Sequence, residues 1–307
     1  MTTALATTTT TNSPSLEGMR IFNFDDRRKL DFEDYKLRIA KAKDVSEIVR
    51  EPFLLYERDK LLIAYFHLED DAFARPYLSG IWRSLRPTVF EAVPQADHRF
   101  PEHYRSEGLP HTSRTFAYMP RVTTRRDYCT TAKLAMEFPA THKAVTRAAR
   151  VIGRYYAAIN PNLYAEHRGQ AERVPDDYQI EDGPFTSGII NRNNQLRYHF
   201  DRGNFEGVWS AMLGFKRDIS GGYLALPEFD IAAEISDRSL FFFDGQGILH
   251  GVTPIRRMSP AAERYTIVYY SMKMMWNCEP LGTEVARIRR KRTVREYKRA
   301  GLQPAIK

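Results

Sequence analysis

Two imidazoles and one carboxylate are the residues in this chain whose types and spacing could do chemistry. His199 and Asp201 stand two apart in Tyr198-His199-Phe200-Asp201, and His250 follows in His250-Gly251-Val252-Thr253-Pro254. On an extended strand, residues i and i+2 point to the same side, so His199 and Asp201 can reach one metal ion together. Two histidines and a carboxylate on one face of an octahedral ion leave three positions open, a donor set suited to Fe(II) working with O2 and a cosubstrate. The tripeptide alone is weak evidence. With eight histidines and 38 acidic residues, His-x-Asp/Glu is expected roughly once by chance. A second copy, His67-x-Glu69, has no distal His-Gly partner and is read as ordinary structure. His199 and Asp201 differ in their surroundings: a glycine turn (Gly221-Gly222-Tyr223-Leu224), a buried strand (Leu240 to Phe243), then His250 opening a turn into another strand.

The last apolar strand gives an independent pointer. Arg264, Thr266, Val268, Tyr270 and Met272 alternate, so their side chains share one face of an extended segment. If that face lines a cavity, Arg264 can pair with a carboxylate in bidentate fashion while Thr266 donates a further hydrogen bond. Such an arginine would hold the distal carboxylate of 2-oxoglutarate. Arg256 and Arg257 fall in the polar loop before the strand and read as solvated. His98, His103, His111, His142 and His167 have no spacing that suggests a site and read as surface or satisfied polar residues.

The elements that must position these groups follow from periodicity. After residue 184, Phe185–Ile190, Val208–Phe215, Tyr223–Leu226, Ile231–Ile235, Leu240–Phe243, Ile248–Val252 and Tyr265–Met272 read as short strands separated by turn residues. This argues for a jelly roll with helices outside it, an α+β chain built on a distorted double-stranded β-helix with flanking N-terminal helices. Before residue 184 the pattern is mixed. Leu61–Leu68 and Arg114–Val122 read as strands, Tyr77–Leu85 and Thr141–Ile159 as helices, the latter stopped at Asn160-Pro161-Asn162. The expected organisation is a disordered Thr-rich leader (1–16), one domain over 17–286 (mixed support 17–183, catalytic core 184–286) and a basic C-terminal tail (287–307).

At 307 residues, 43% hydrophobic and 27% charged, collagen-like, wholly disordered and disulfide-scaffold classes are excluded. No apolar run approaches the roughly 18 residues of a membrane span, and the N-terminus lacks a secretory pattern. Cys129 and Cys278 have no metal spacing and make no disulfide framework, so a reducing, intracellular setting (cytoplasm or nucleus) is expected. The net charge of +8 lies in residues 287–307, where nine basic residues face Glu296 alone; residues 1–286 are formally neutral. A neutral body with a cationic end suggests a polyanionic partner, because neutralised phosphates release counterions. No protein partner is inferable.

From His199 to Met272, the segments HFDRGN, SGGYLALPEF, LFFFDGQGILHGVTP and RYTIVYYS resemble the core of the TET/JBP dioxygenases. Thr115-Phe116-Ala117-Tyr118-Met119-Pro120-Arg121 resembles them more loosely. The resemblance implies Fe(II) on His199, Asp201 and His250, 2-oxoglutarate on Arg264 with Thr266, O2 as cosubstrate, and hydroxylation of the 5-methyl group of a pyrimidine, 5-methylcytosine or thymine, in DNA. It further implies base contacts by Asn204, three residues after the aspartate, and stacking by Tyr270. Met272 stands where animal TET enzymes have a base-contacting histidine, which leaves thymine as open as cytosine. One alternative keeps the iron chemistry but acts on a peptide side chain, amino acid or small metabolite. Another is a non-enzymatic nucleic-acid-binding module.

Overall fold

In the computed structural model the described residues are 16, 18–36, 38–69, 71–85, 112–122 and 127–301. The expected leader, apart from residue 16, the end of the basic tail (302–307), and His98, His103 and His111 lie outside them. The first strands are β1 (Arg20–Phe24), β2 (Glu47–Val49), β3 (Phe53–Glu57), β4 (Lys60–His67), β5 (Thr112–Met119) and β6 (Thr130–Thr131). Then come β7 (Ser187–Arg192), β8 (Ser210–Arg217), β9 (Ile219–Gly221), β10 (Leu224–Leu226) and β11 (Ile231–Ala233). The last are β12 (Ser239–Phe243), β13 (Gly251–Val252), β14 (Ile255–Arg257) and β15 (Glu263–Tyr270).

A large sheet in the order β1-β3-β4-β12-β8-β15-β7-β5-β6 faces a smaller one, β13-β10-β11-β2, and β14 pairs with β9. β12 reads Ser-Leu-Phe-Phe-Phe and is buried throughout, because it sits between β4 and β8 with neighbours on both faces. Each fully buried Phe or Leu there contributes about 1.5–3 kcal/mol. The fold is the expected mixture of jelly-roll sheets and helices. Strands before residue 184 belong to both sheets, however, with β1 parallel to β3 and β2 parallel to β11. Arg256 and Arg257 lie on β14, exposed, and not in a loop.

Helices cover the outer face of the large sheet. The helix Pro139–Ile159 begins with proline at its first turn, where the missing N–H costs nothing, and buries Val145, Ala148, Val151, Ile152, Tyr155 and Tyr156 at helical spacing. Asn160 stops it and also caps the next helix, Pro161–Ala171, its side chain accepting from Leu163 N. That second helix was not foreseen. β15 is anchored to the helical layer through its inward tyrosines: Tyr265 donates to Leu85 O at the end of the helix Ala74–Leu85, and Tyr269 to Val145 O at 2.6 Å. The alternate residues of the strand are thereby turned toward the other sheet.

Cys129 and Cys278, expected to form no disulfide, are bridged across 149 residues of sequence. A single bridge between distant positions leaves no spacing signature, so the sequence reading is corrected here. The basic segment is not simply a tail: it falls largely within a helix, Leu281–Arg299, that begins just after the bridge. Among the described residues no helix is long and apolar enough to cross a membrane.

Candidate active site

His199 and His250 form an isolated antiparallel bridge: His199 N donates to His250 O at 2.9 Å, and His250 N to His199 O at 3.2 Å. Main-chain pairing thus sets the two imidazoles side by side, ring centroids 4.3 Å apart. Asp201, two residues on, brings Oδ1 to 3.5 Å from His199 Nε2 and Oδ2 to 3.9 Å from His250 Nε2. The three ligand atoms lie within 4.8 Å of one another, and among the described residues no other such group of histidine, cysteine or carboxylate donors occurs. His67 instead meets the Tyr65 hydroxyl at 3.1 Å, and Glu69 pairs with Arg238.

Both rings have their Nδ1 against a main-chain carbonyl, His199 on Arg197 O at 2.7 Å and His250 on Ile248 O at 2.9 Å. A carbonyl can only accept, so each Nδ1 carries a proton and each Nε2 is the atom left to ligate a metal, the orientation a ligating histidine needs. Burial, followed by the neighbouring His199, lowers the pKa of His250 to about 4. Burial alone would lower His199 too, but its hydrogen bond to Asp201 and that group's charge outweigh it and the pKa rises. Asp201 in turn is held below the usual carboxylate range, the two histidines overcoming its burial. A cation binding here would displace the proton that Asp201 favours on His199 Nε2, leaving two imidazole nitrogens and an ionised carboxylate as its donors. Asp201 is steadied from its own N–H, which donates to Gly245 O at 2.8 Å. A Cβ on Gly245 would come within 2.5 Å of Asp201 Oδ2, so only glycine permits this approach.

These groups open onto a cavity of about 620 Å³ between the two sheets. All five alternating residues predicted to share a face, Arg264, Thr266, Val268, Tyr270 and Met272, line it, opposite Leu224 and Val252 of the smaller sheet. Arg264 is 3% exposed. Its guanidinium donates to Gly222 O at 3.1 Å, its Nε has no partner, and among the described residues no carboxylate faces it. Burial consequently lowers its pKa to about 10. A buried guanidinium with unused donors fits a bound carboxylate. Gly222, at φ +69°, lets the main chain come this close: an added Cβ would sit 3.0 Å from Arg264 Nε.

Asn204 also lines the cavity, its amide 3.4 Å from Ser210 Oγ and its main chain bridged to Met272. The structure therefore brings together every residue singled out from the sequence. Sequence reasoning missed Asn191 and Asn194, buried cavity residues linked through Ser113: Ser113 Oγ donates to Asn191 Oδ1 at 2.7 Å, and Asn194 donates to both. His167, read as a surface or satisfied polar residue, is the second of these: it is 1% exposed and stays neutral with a pKa lowered to about 3 by burial. His167 Nε2 lies 2.9 Å from Ser271 Oγ, and that hydroxyl donates to Pro184 O, fixing the strand end between Tyr270 and Met272. A lone histidine in a polar-apolar stretch carries no signal of such a bond.

The family model for the oxygenase domain of the 2OGFeDO superfamily, Tet_JBP, matches residues 118–273. The chain belongs to this family, and it is an iron- and 2-oxoglutarate-dependent dioxygenase, an oxidoreductase. It is 27% identical over 119 residues to thymine dioxygenase JBP1 of Crithidia fasciculata, covering 38% of this chain and 14% of that protein. It is 26% identical over 121 residues to the bifunctional helicase and thymine dioxygenase JBP2 of Trypanosoma cruzi (strain CL Brener), covering 38% of this chain and 11% of that one. The matched region thus spans about a seventh or less of these relatives. The solved structure of NgTET1 in complex with 5mC DNA shares the fold, with a TM-score of 0.55, 13% identity, and coverage of 88% of this chain and 91% of that one.

Proposed function

We propose that this enzyme hydroxylates the 5-methyl group of a pyrimidine, thymine or 5-methylcytosine, in DNA. The observation that carries the reading is one cavity lined by the His199, Asp201 and His250 cluster, by a buried unneutralised arginine, and by an aromatic residue and an amide that suit a base. His199, Asp201 and His250 would hold Fe(II), and Arg264 with Thr266 would hold the distal carboxylate of 2-oxoglutarate. Bound there, the iron and 2-oxoglutarate supply the O2-dependent oxidation that puts a hydroxyl on a C–H bond.

The chain's own contribution is placement and exclusion of water. Nδ1–H of both histidines stays on main-chain carbonyls, so the rings keep one orientation. Val268, Met212, Phe243 and Leu224 give the cavity an apolar wall that keeps water from the reacting methyl group. A base inside a duplex reaches such an enclosed space only when its nucleotide is extruded, at a cost of a few kcal/mol. Stacking on Tyr270 and a hydrogen bond from Asn204 would offset part of that cost. Met272, lacking a hydrogen-bonding group comparable to histidine, provides contact without reading an exocyclic amine, which keeps thymine and 5-methylcytosine both as substrates of this reading.

The test is incubation with Fe(II), 2-oxoglutarate and DNA containing thymine or 5-methylcytosine, followed by digestion to nucleosides and mass spectrometry. A 5-hydroxymethyl nucleoside, lost in His199→Ala and Asp201→Ala, is expected. Succinate formed with a peptide or metabolite, with no hydroxymethyl product on either DNA, overturns the reading.

A further inference from the structure

The helix Leu281–Arg299 has almost no structural reason to exist as a packed element. Glu284 is its only buried residue among those described. Its buried anchorage is confined to the first turn. There the fully buried Glu284 carboxylate accepts from Arg121 and from the main-chain N–H of Cys129 at 3.1 Å and of Glu279 at 3.0 Å, while Cys278 is bridged to Cys129. Beyond that anchor Arg287 and Lys291 are neutralised by Glu279 and Asp127, and Arg299 pairs with Glu296. Arg289, Arg290, Arg292, Arg295 and Lys298 are exposed, and among the described residues none has an acidic partner. Several stand three or four residues apart, where like charges on a helix repel. The helix carries eight basic residues against Glu284 and Glu296, so most of the chain's excess charge of +8 lies on one rod fixed at one end to the body.

We infer that this helix is a docking surface for the phosphate backbone of duplex DNA, gripping it without regard to sequence. At 19 residues the rod is about 28 Å long, which matches the rise of about eight base pairs at 3.4 Å each. Only eight residues, Lys273 to Pro280, separate the cavity-lining Met272 from the helix, and the disulfide and Glu284 pin that connection. A duplex held on the helix therefore stays within a fixed reach of the cavity mouth. The inference rests on the reading of a DNA substrate, but it concerns the backbone and not the base.

The experiment uses the full chain without iron or 2-oxoglutarate and a short duplex of G·C pairs only, with binding followed by fluorescence anisotropy over a range of salt. In the combined variant Arg289→Gln, Arg292→Gln, Arg295→Gln, Lys298→Gln, the slope of log K against log salt should fall by about 3 to 4, at roughly 0.9 for each phosphate contact. Replacing the same three arginines by lysine should preserve the slope, which separates lost charge from a misfolded helix. An unchanged slope in the glutamine variant overturns the inference, as does loss of binding to phosphatidylserine vesicles with DNA binding intact. Because no methylated base is present, binding that depends on the helix would stand even if no hydroxymethyl product formed.

Discussion

Replacing Arg264 by methionine should have opposite effects on the free protein and on its complex with 2-oxoglutarate. The guanidinium is buried, has one main-chain partner and faces no carboxylate among the described residues. Burial lowers its pKa to about 10, well below the usual guanidinium range, which at 1.36 kcal/mol per pH unit sets about 3 kcal/mol against the charged form. The unfolded chain holds the proton more tightly, so this penalty is complete at neutral pH and fades only as pH rises above about 10. Methionine removes it, at the cost of leaving Gly222 O unpaired, about 1–3 kcal/mol. The stability of the free protein should therefore change little or rise. Truncating one side of a buried charge pair costs about 2–5 kcal/mol, so 2-oxoglutarate should bind from about 30-fold to several thousand-fold more weakly. Anaerobic calorimetric titration with 2-oxoglutarate, paired with urea unfolding in its presence and absence, measures both. Wild-type affinity for 2-oxoglutarate in the variant, or marked destabilisation of the free protein alone, would refute the argument.

Gly245→Ala forces Asp201 aside, so Fe(II) affinity measured anaerobically should fall by about 10- to 100-fold, as for other groups that orient a ligand, with the fold retained by circular dichroism. Tyr270→Ala should lower kcat/KM on methylated DNA by about 1–3 kcal/mol, the worth of one stacked base, while uncoupled 2-oxoglutarate consumption persists. Cys129→Ser opens a loop of 149 residues and should cost about 5 kcal/mol on the chain-entropy argument; an unchanged unfolding midpoint under non-reducing conditions would mean the bridge does not form. Glu284→Ala should cost about 1–3 kcal/mol, because it leaves the main-chain N–H groups of Cys129 and Glu279 without an acceptor while Arg121 keeps Glu279 as a partner. Glu284 has its pKa lowered by Arg121 and two main-chain donors despite its burial, so the wild-type contribution is complete above the ordinary 4.5 and disappears as pH falls through the lower folded value, a loss the variant should not show in acid unfolding.

What could be read in advance was local. The alternation from Arg264 to Met272 and the pair His199 and Asp201 declare their faces because a strand has a period of two, and the burial pattern of Pro139–Ile159 declares a helix. Interactions that join remote segments left no mark. The bridge between Cys129 and Cys278, the carboxylate of Glu284 meeting Arg121, and Ser113 holding Asn191 each depend on two pieces of chain that only the folded topology brings together. The same limit hid the membership of β1 and β3 in the large sheet, since parallel pairing shows in neither strand's own pattern.

β15 carries Arg264 and Tyr270 on one unbroken segment, so their spacing behaves as a ruler of about 20 Å, six residues at roughly 3.3 Å each. Loops can lengthen by single residues, but inserting one residue between these two would turn one of them into the helical layer and bring a neighbouring side chain from Tyr265, Ile267 or Tyr269 round to the cavity. Enzymes descended from such a scaffold can thus change the separation of their two binding ends only by pairs of residues, about 6.6 Å at a time, and smaller adjustments of reach have to come from the loops that close over the mouth.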